Sequence, residues 1–516
     1  MKEIMSLKNV IIYLMLLFYF IFGVSFLLVG PNDLFNWKTC VLSLSVVLFL
    51  GLIVKFSDSN LFVQNVIMTI FFSLFIIPRL IIYLLMPSMV IFSFGITITN
   101  DQINIALLYL LFGTIFIYAG FLVAERIFRR FMVSGKPDSD PAKYHAGVVL
   151  AVFLITIIVG LYIRDILGVN SLNIKQTGVH DWLIQSLLLV FNIDFVFFMA
   201  CASLLFKKVF DKKAFFAIFF IVTAYLTVLS FTGSRGGGMR VDLMIFMILL
   251  CIKGNFKVRF RYAGIFFIIL FLTYVTWPFS MQKRIDTVAQ GYANAAKKEM
   301  NAVEQNYANA VEKKINMFRK AHSDGILLYK DCKKHFTAVM NRMGLIDNEI
   351  VILSIDAEPQ AKSKYMNMSY AGKNIVNLLL PGVVFKDAEI NTSRVIPVLY
   401  RSFSDDYLKV GGYSSDFYTP WGVFFLIFGW WKGWFMLLVA AMGVHLVYLF
   451  TMHFRGKYRY YMGALCLFSV SHLFYANMGI DHWIATSGLI IISGVSAIVL
   501  FELGEFILNR IRLLMR

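Results

Sequence analysis

Arginines that stand beside glycines or inside apolar stretches are the residues of this sequence best suited to chemistry. Arg235 lies in the run Thr-Gly-Ser-Arg-Gly-Gly-Gly at 232–238, and Arg79 lies inside a long apolar stretch. A guanidinium group can hold a phosphate through two parallel hydrogen bonds, and glycines let backbone amides approach the same anion. The pattern therefore predicts a phosphate-binding site at these arginines. The residues predicted to bind beside Arg235 are Gly233, Ser234, Gly236 and Arg240.

Other ionisable residues lie in or beside apolar stretches, where a charge needs a reason. Asp194 is expected either to pair with Arg79 or to carry protons. His445 and His472 are expected to be hydrogen-bonded histidines of a helical core. Asp481, which precedes a histidine, is either a base or part of an exposed loop pair.

Recognisable metal and nucleotide motifs are missing from the sequence. It contains no HExxH motif, no Walker loop and no cluster of carboxylates or histidines with ligand spacing. The five cysteines are scattered and form no CxxC pair, which argues against a structural metal site or a disulfide framework. We therefore expect chemistry without a metal ion or cofactor, in which arginine neutralises the charge of the phosphate.

The composition indicates that these residues are held by membrane helices. Of the 516 residues, 59% are hydrophobic and only 15% are charged, whereas a soluble domain is about a quarter charged. A helix needs about 20 apolar residues to cross a bilayer. That criterion predicts an all-α membrane protein with about twelve transmembrane helices. The predicted spans are 10–29, 39–54, 61–86, 103–124, 146–163, 183–206, 214–232, 239–252, 263–280, 432–451, 461–480 and 484–507.

Basic residues alternate between the connecting segments and so predict the topology. Segments rich in Lys and Arg remain in the cytoplasm, and this rule places both termini there. The net charge of +18 is concentrated in those short segments, which argues for membrane orientation rather than for nucleic-acid binding. Seven arginines then fall on the external face against the rule: Arg79, Arg164, Arg235, Arg240, Arg284, Arg394 and Arg401.

The predicted organisation has three parts. Residues 1–280 hold spans one to nine, and residues 281–419 form a large, partly helical external loop. Residues 420–516 hold an aromatic helix at 420–433, expected to lie on the membrane surface, followed by the last three spans. A connection as long as 281–419 is far beyond ordinary loop lengths, which indicates a functional element.

Two features give the chain a resemblance to a known family. The TGSRGG motif at 232–237, and a large external loop before the last three spans, resemble the Wzy-type O-antigen and capsule polymerases. Arg401, followed by ten residues and then Gly412, also matches an RX10G pattern described for some members. The resemblance covers the architecture of the whole chain.

The resemblance implies a glycosyltransferase of the bacterial cytoplasmic membrane. Such an enzyme transfers a growing glycan from undecaprenyl diphosphate to the non-reducing end of a new lipid-linked repeat unit. Arg235, Arg79 and Arg401 would stabilise the departing diphosphate. Arg394 and Gly412 would help to bind the substrate. The acids that could deprotonate the acceptor hydroxyl are Asp405, Asp406 and Glu389.

The implied partners are undecaprenyl-diphosphate-linked oligosaccharides and membrane lipid. A chain-length regulator is a further candidate partner, and nucleic acid is not expected. Two other functions stay open. An O-antigen ligase would use the same donor with a lipid A-core acceptor. A lipid-linked oligosaccharide flippase would belong to a different class, and it should show internal repeats and midplane charges in both halves.

Overall fold

The computed structural model describes residues 2–57, 61–87, 98–131, 146–162, 187, 345–379, 384–388, 392, 395–400, 419–453 and 480–515. Within these ranges the chain is helical and contains no strand. The helices are α1 (Lys2–Val29), α2 (Trp37–Phe56), α3 (Phe62–Phe75), α4 (Ile77–Leu85), α5 (Asn100–Phe131), α6 (Ala146–Leu161), α7 (Leu345–Ser354), α8 (Pro359–Tyr365), α9 (Met368–Leu379), α10 (Ile396–Tyr400), α11 (Pro420–Phe428), α12 (Trp430–His453) and α13 (Ile480–Leu514).

Five stretches of the described chain are long and apolar enough to cross a membrane. They are Ile11–Val29, Trp37–Phe56, Gln64–Leu85, Asn100–Arg130 and Trp430–Phe450. Each coincides with a span predicted from the sequence. The predicted spans 146–163 and 484–507 fall on α6 and α13. Spans six to nine and span eleven lie almost wholly outside the described residues, so the total of about twelve stays a prediction.

The third predicted span is divided into two helices. The sequence indicates one continuous helix over 61–86, but α3 ends at Phe75 and α4 begins at Ile77. Pro78 lies in the first turn of α4, where its missing N–H would have no partner within the helix anyway. The break therefore lets α4 take a direction of its own, and α4 carries Arg79.

The aromatic stretch at 420–433 differs from the surface helix that we expected. It contains the short helix α11, which ends at Gly429 with a φ of 75°, a value that favours glycine. Trp421 of α11 is fully buried, and its ring centroid lies 5.7 Å from that of Phe71. Because the aromatic side chains find partners in α3, the helix is buried by protein rather than spread on lipid.

The core of the described chain forms where α5 packs along α12, while α7 packs against α5 and α11. Every residue of α7 from Ile346 to Leu353 is buried. A helix that is buried on all sides is normally apolar throughout, yet this one contains Asp347, Asn348 and Glu349. Part of the region predicted as an external loop is thus packed among apolar helices, with polar residues at the contact.

Candidate functional site

Asp347 of α7 forms a two-pronged ion pair with Arg79 of α4. Arg79 Nε donates to Asp347 Oδ1 at 3.0 Å, and Arg79 Nη2 donates to Oδ2 at 2.6 Å. The Arg79 side chain is 0% exposed and that of Asp347 is 2% exposed. The planar guanidinium matches the carboxylate fork, so both charges are satisfied without water.

Tyr83 completes this cluster from the same helix as Arg79. Residues four apart share a helix face, and the Tyr83 hydroxyl also donates to Asp347 Oδ1. The Arg79 guanidinium lies 5.4 Å from the centroid of the Tyr83 ring, within cation–π distance. Asn32 in turn donates to the backbone oxygens of Tyr83 and Leu84, which fixes the end of α4. The arginine is therefore held rigidly in place.

The ion pair bears on two expectations for Arg79. Asp194 was one possible partner, and it lies outside the described residues, whereas Asp347 is the partner that the structure provides. A phosphate that used the same edge of the guanidinium would have to compete with this carboxylate. The contact of Arg79 with a phosphate therefore stays a prediction, and its contact with α7 is observed.

Glu349, two residues further along α7, is buried without a basic partner among the described residues. Its Oε1 accepts hydrogen bonds from the Thr419 backbone N–H at 2.8 Å and from the Thr419 hydroxyl. Thr419 is the N-cap residue of α11, and its own side chain caps nothing within that helix. Glu349 therefore supplies the cap from another helix, at the positive end of the α11 dipole.

Close packing fixes the Glu349 carboxylate against α11. A Cβ atom added to Gly422 would lie 2.7 Å from Glu349 Oε2, so any larger residue at that position would have to displace the carboxylate. Tyr109 of α5 interacts electrostatically with Glu349, and its hydroxyl has no hydrogen-bond partner among the residues that the structure describes. A Cβ atom on Gly433 would lie 2.6 Å from that hydroxyl. Two glycines thus make room for a carboxylate and a phenol in a dry environment.

Burial dominates the protonation of this carboxylate. The loss of water raises the pKa of Glu349 to about 7, and the donors on Thr419 only partly oppose that rise. Burial, and then the charge of Glu349, raise the pKa of Tyr400 well above its usual value. The Glu349 carboxyl therefore changes between its neutral and ionised forms near neutral pH, where an ordinary surface glutamate stays ionised.

A second buried polar pair connects α5 to α12 far from α7. His445 Nε2 lies 3.3 Å from Glu125 Oε2, and Arg129 Nε donates to Glu125 Oε1 at 3.1 Å. The prediction of a hydrogen-bonded core histidine is confirmed for His445. Glu125 is sixteen residues beyond Tyr109 on the same helix, or about 24 Å at 1.5 Å per residue. The two polar clusters are therefore separate.

Asp481, in the first turn of α13, is buried, and the expectation of an exposed loop pair is wrong for this residue. Its Oδ2 accepts from the Thr392 backbone N–H at 3.1 Å, and its Oδ1 accepts from the Thr392 hydroxyl. Thr392 stands two residues before Arg394 in the sequence. Asp481 thus tethers the segment that carries a predicted substrate-binding residue.

The other predicted site residues lie outside the described ranges and stay predictions. They are Arg235, Arg401, Asp405, Asp406, Gly233, Ser234, Gly236, Arg240, Arg394 and Gly412. Sequence reasoning missed Asp347 and Glu349, although a signal was present. Both carboxylates stand, with Asn348 between them, in a stretch of Leu, Ile and Val at 345–353, and charges in apolar helices mark functional or paired positions.

A scan against protein-family models, a search of curated proteins and a search of solved structures each found no match. The function is therefore argued from the site and from the sequence.

Proposed function

We propose that this chain is a membrane glycosyltransferase that polymerises undecaprenyl-diphosphate-linked oligosaccharide repeat units into O-antigen or capsule. The observation that carries the proposal is the packing of α7, a helix of the 281–419 segment with three consecutive polar residues, onto the apolar helices around Arg79. A lipid-linked sugar needs a site where a membrane bundle meets a polar segment large enough to hold a glycan. The bacterial cytoplasmic membrane is the proposed location.

The chemistry proposed is one displacement at an anomeric carbon. The hydroxyl oxygen of the acceptor sugar forms a bond to that carbon, while the bond from the carbon to the lipid diphosphate breaks. The hydroxyl proton passes to a carboxylate, for which Asp405 and Asp406 are the candidates. The lipid diphosphate leaves with the bonding electron pair, and Arg235 and Arg401 stabilise its charge. In this scheme Arg79 holds α7 in place through Asp347.

The size distribution of surface glycan from a strain that lacks the gene separates the candidate functions. A polymerase defect leaves single repeat units on the lipid A core, and this is the outcome that we expect. An O-antigen ligase defect leaves a bare core, and a flippase defect leaves no external repeat units at all. Either of the last two patterns would contradict the proposal.

Arg235 provides the sharper test at the level of one residue. Arg235→Ala should abolish chain extension while the protein inserts at normal levels. Arg235→Lys should lose more than tenfold, equivalent to about 1.4 kcal/mol, because an ammonium group lacks the guanidinium fork. Full-length glycan from the Lys variant at matched expression would exclude the proposed contact with diphosphate.

The proposed dependence on arginine also makes the reaction independent of metal. Purified protein that is given lipid-linked repeat units should extend them in the presence of EDTA. Loss of extension in EDTA, with recovery on addition of magnesium or manganese, would contradict the arginine mechanism.

A further inference from the structure

The contact between Glu349 and Thr419 joins two points that are 70 residues apart in sequence. The chain between them is the segment 350–418, which begins in α7 and ends just before α11. The base of this segment is the contact itself, where α7 meets the N-cap residue of α11. Any change in the contact must therefore alter how the base of the segment is held.

The chemistry of this contact is unusual for a structural bond. The carboxylate is 0% exposed, and the groups that face it from α11 are the Thr419 donors and the glycine at 422. From α5 it faces the unpartnered hydroxyl of Tyr109, and it interacts electrostatically with Tyr400 of α10. The neighbouring charge on α7 belongs to Asp347, which Arg79 already neutralises. Within the part of the chain that the structure describes, hydrogen bonds alone, and no opposite charge, offset the burial of Glu349.

We propose that Glu349 is a proton-dependent clamp, which holds the base of the segment 350–418 when it is protonated and loosens it when it is ionised. Protonation of Oε2 removes the buried charge, and Oε1 still accepts the hydrogen bonds of Thr419. Ionisation restores the cost of burying a charge without a counter-ion. The clamp is also a positioning residue for the proposed transfer reaction, and that part alone rests on the proposed function.

The direction of the pH effect follows from linkage. The pKa of Glu349 is raised from an ordinary 4.5 to about 7, so the closed state binds the proton more tightly than an open, hydrated state does. The clamp is therefore tightest below about pH 4.5, and it weakens as the pH rises towards 7 and beyond. If opening hydrates the carboxylate fully, the 2.5-unit difference between 4.5 and 7 corresponds to an opening constant that rises up to about 300-fold.

The Thr419 amide reports the clamp directly, because its N–H donates to Glu349. Hydrogen–deuterium exchange of the peptide containing Thr419 should be followed in the purified full-length protein between pH 5 and 9, with correction for intrinsic exchange. We expect protection to fall as the pH rises. In Glu349→Gln, which keeps the acceptor oxygen and cannot ionise, protection should stay high and independent of pH. A flat wild-type profile, or the same slope in the Gln variant, would overturn the proposal.

Two further variants keep the test decisive if Glu349→Gln fails to fold. Thr419→Val removes the hydroxyl donor and should move the midpoint to higher pH, because the ionised form loses a bond. An unchanged midpoint would count against the clamp. Glu358→Gln makes the same chemical change at an exposed position in the same segment and should keep the wild-type profile. If the pH profile of exchange at Thr419 also shifted in Glu358→Gln, the pH dependence would come from the general surface charge and not from Glu349.

The exchange measurement involves no substrate, so it stands or falls independently of the polymerase assay. If the chain does polymerise lipid-linked glycans, the pH profile of chain extension should also change in Glu349→Gln. Exchange at Thr419 could depend on pH while the pH profile of chain extension stays the same in Glu349→Gln. That result would exclude the positioning role and support the clamp alone. A flat exchange profile would remove the clamp and leave the polymerase.

Discussion

Asp347 and Glu349 stand two residues apart on one buried helix, yet they are neutralised in opposite ways. Asp347 faces a full positive charge, the guanidinium of Arg79, in a two-pronged contact. Among the described residues Glu349 faces only dipoles, namely the amide and hydroxyl of Thr419 and the backbone amide of Gly422. Burial raises the pKa of both carboxyls, but the full positive charge of Arg79 opposes that rise at Asp347, whereas only hydrogen-bond donors oppose it at Glu349. Helix α7 thus carries a fixed contact, between Asp347 and Arg79, and an adjustable contact, between Glu349 and Thr419.

Breaking the fixed contact should have the largest effect. Asp347→Asn removes the charge that the Arg79 guanidinium contacts through two hydrogen bonds, and loss of one partner from a buried pair costs about 3–5 kcal/mol. We expect a large fall in the midpoint of thermal unfolding in detergent. An Asn variant as stable as the wild type would show that the observed pair does not hold α7.

Removing both charges separates packing from ligand binding. Arg79→Met combined with Asp347→Leu should recover most of the stability lost in Asp347→Asn, because apolar residues of similar volume often replace a buried pair without cost. Surface glycan from this double variant then tests the predicted role of Arg79. If glycan extends normally, Arg79 acts only through α7. If extension fails in a stable protein, Arg79 also contacts the substrate.

Filling the space beside the adjustable contact should have an intermediate effect. Gly422→Ala adds a Cβ atom 2.7 Å from Glu349 Oε2, and overpacking of this kind costs about 1–3 kcal/mol. The matched control is Gly372→Ala in α9, where the added atom would meet nothing within 4 Å and helix propensity favours alanine. The denaturation midpoint should fall in the first variant and hold or rise in the second. Equal midpoints would mean that α11 can shift away from α7.

An exposed ion pair should have the smallest effect. Lys373 pairs with Asp387 at the surface, where the hydrogen bond that Lys373 donates is the main cause that lowers the pKa of that carboxyl. Water screens such pairs, and many contribute nothing measurable. Lys373→Ala should therefore leave the unfolding midpoint unchanged within error. A clear fall would show that charge pairing alone, without burial, matters in this segment, and the contrast with Asp347 would lose its basis.

The sequence predicted the apolar helices well, because length and composition suffice to recognise a span. It also singled out Arg79, since a charge between apolar residues is conspicuous. The partner was not predictable, because 268 residues separate Arg79 from Asp347 and no local spacing connects them. Helix α7 was absorbed into a predicted loop because ten residues are too short for a span. The proposals for Arg235 and Arg401 concern residues outside the described ranges and stay predictions.

The same sequence separation has a consequence for how the protein is made. Ribosomes add roughly 5–20 residues per second, so a gap of 268 residues leaves Arg79 without Asp347 for roughly 13–54 seconds of synthesis. Through that interval the nascent chain presents the Arg79 guanidinium in an apolar stretch without the Asp347 carboxylate, a state that insertion machinery and quality-control proteases can recognise. Chains that terminate before codon 347 should therefore be degraded quickly, and the completed ion pair should mark the point at which the protein escapes proteolysis.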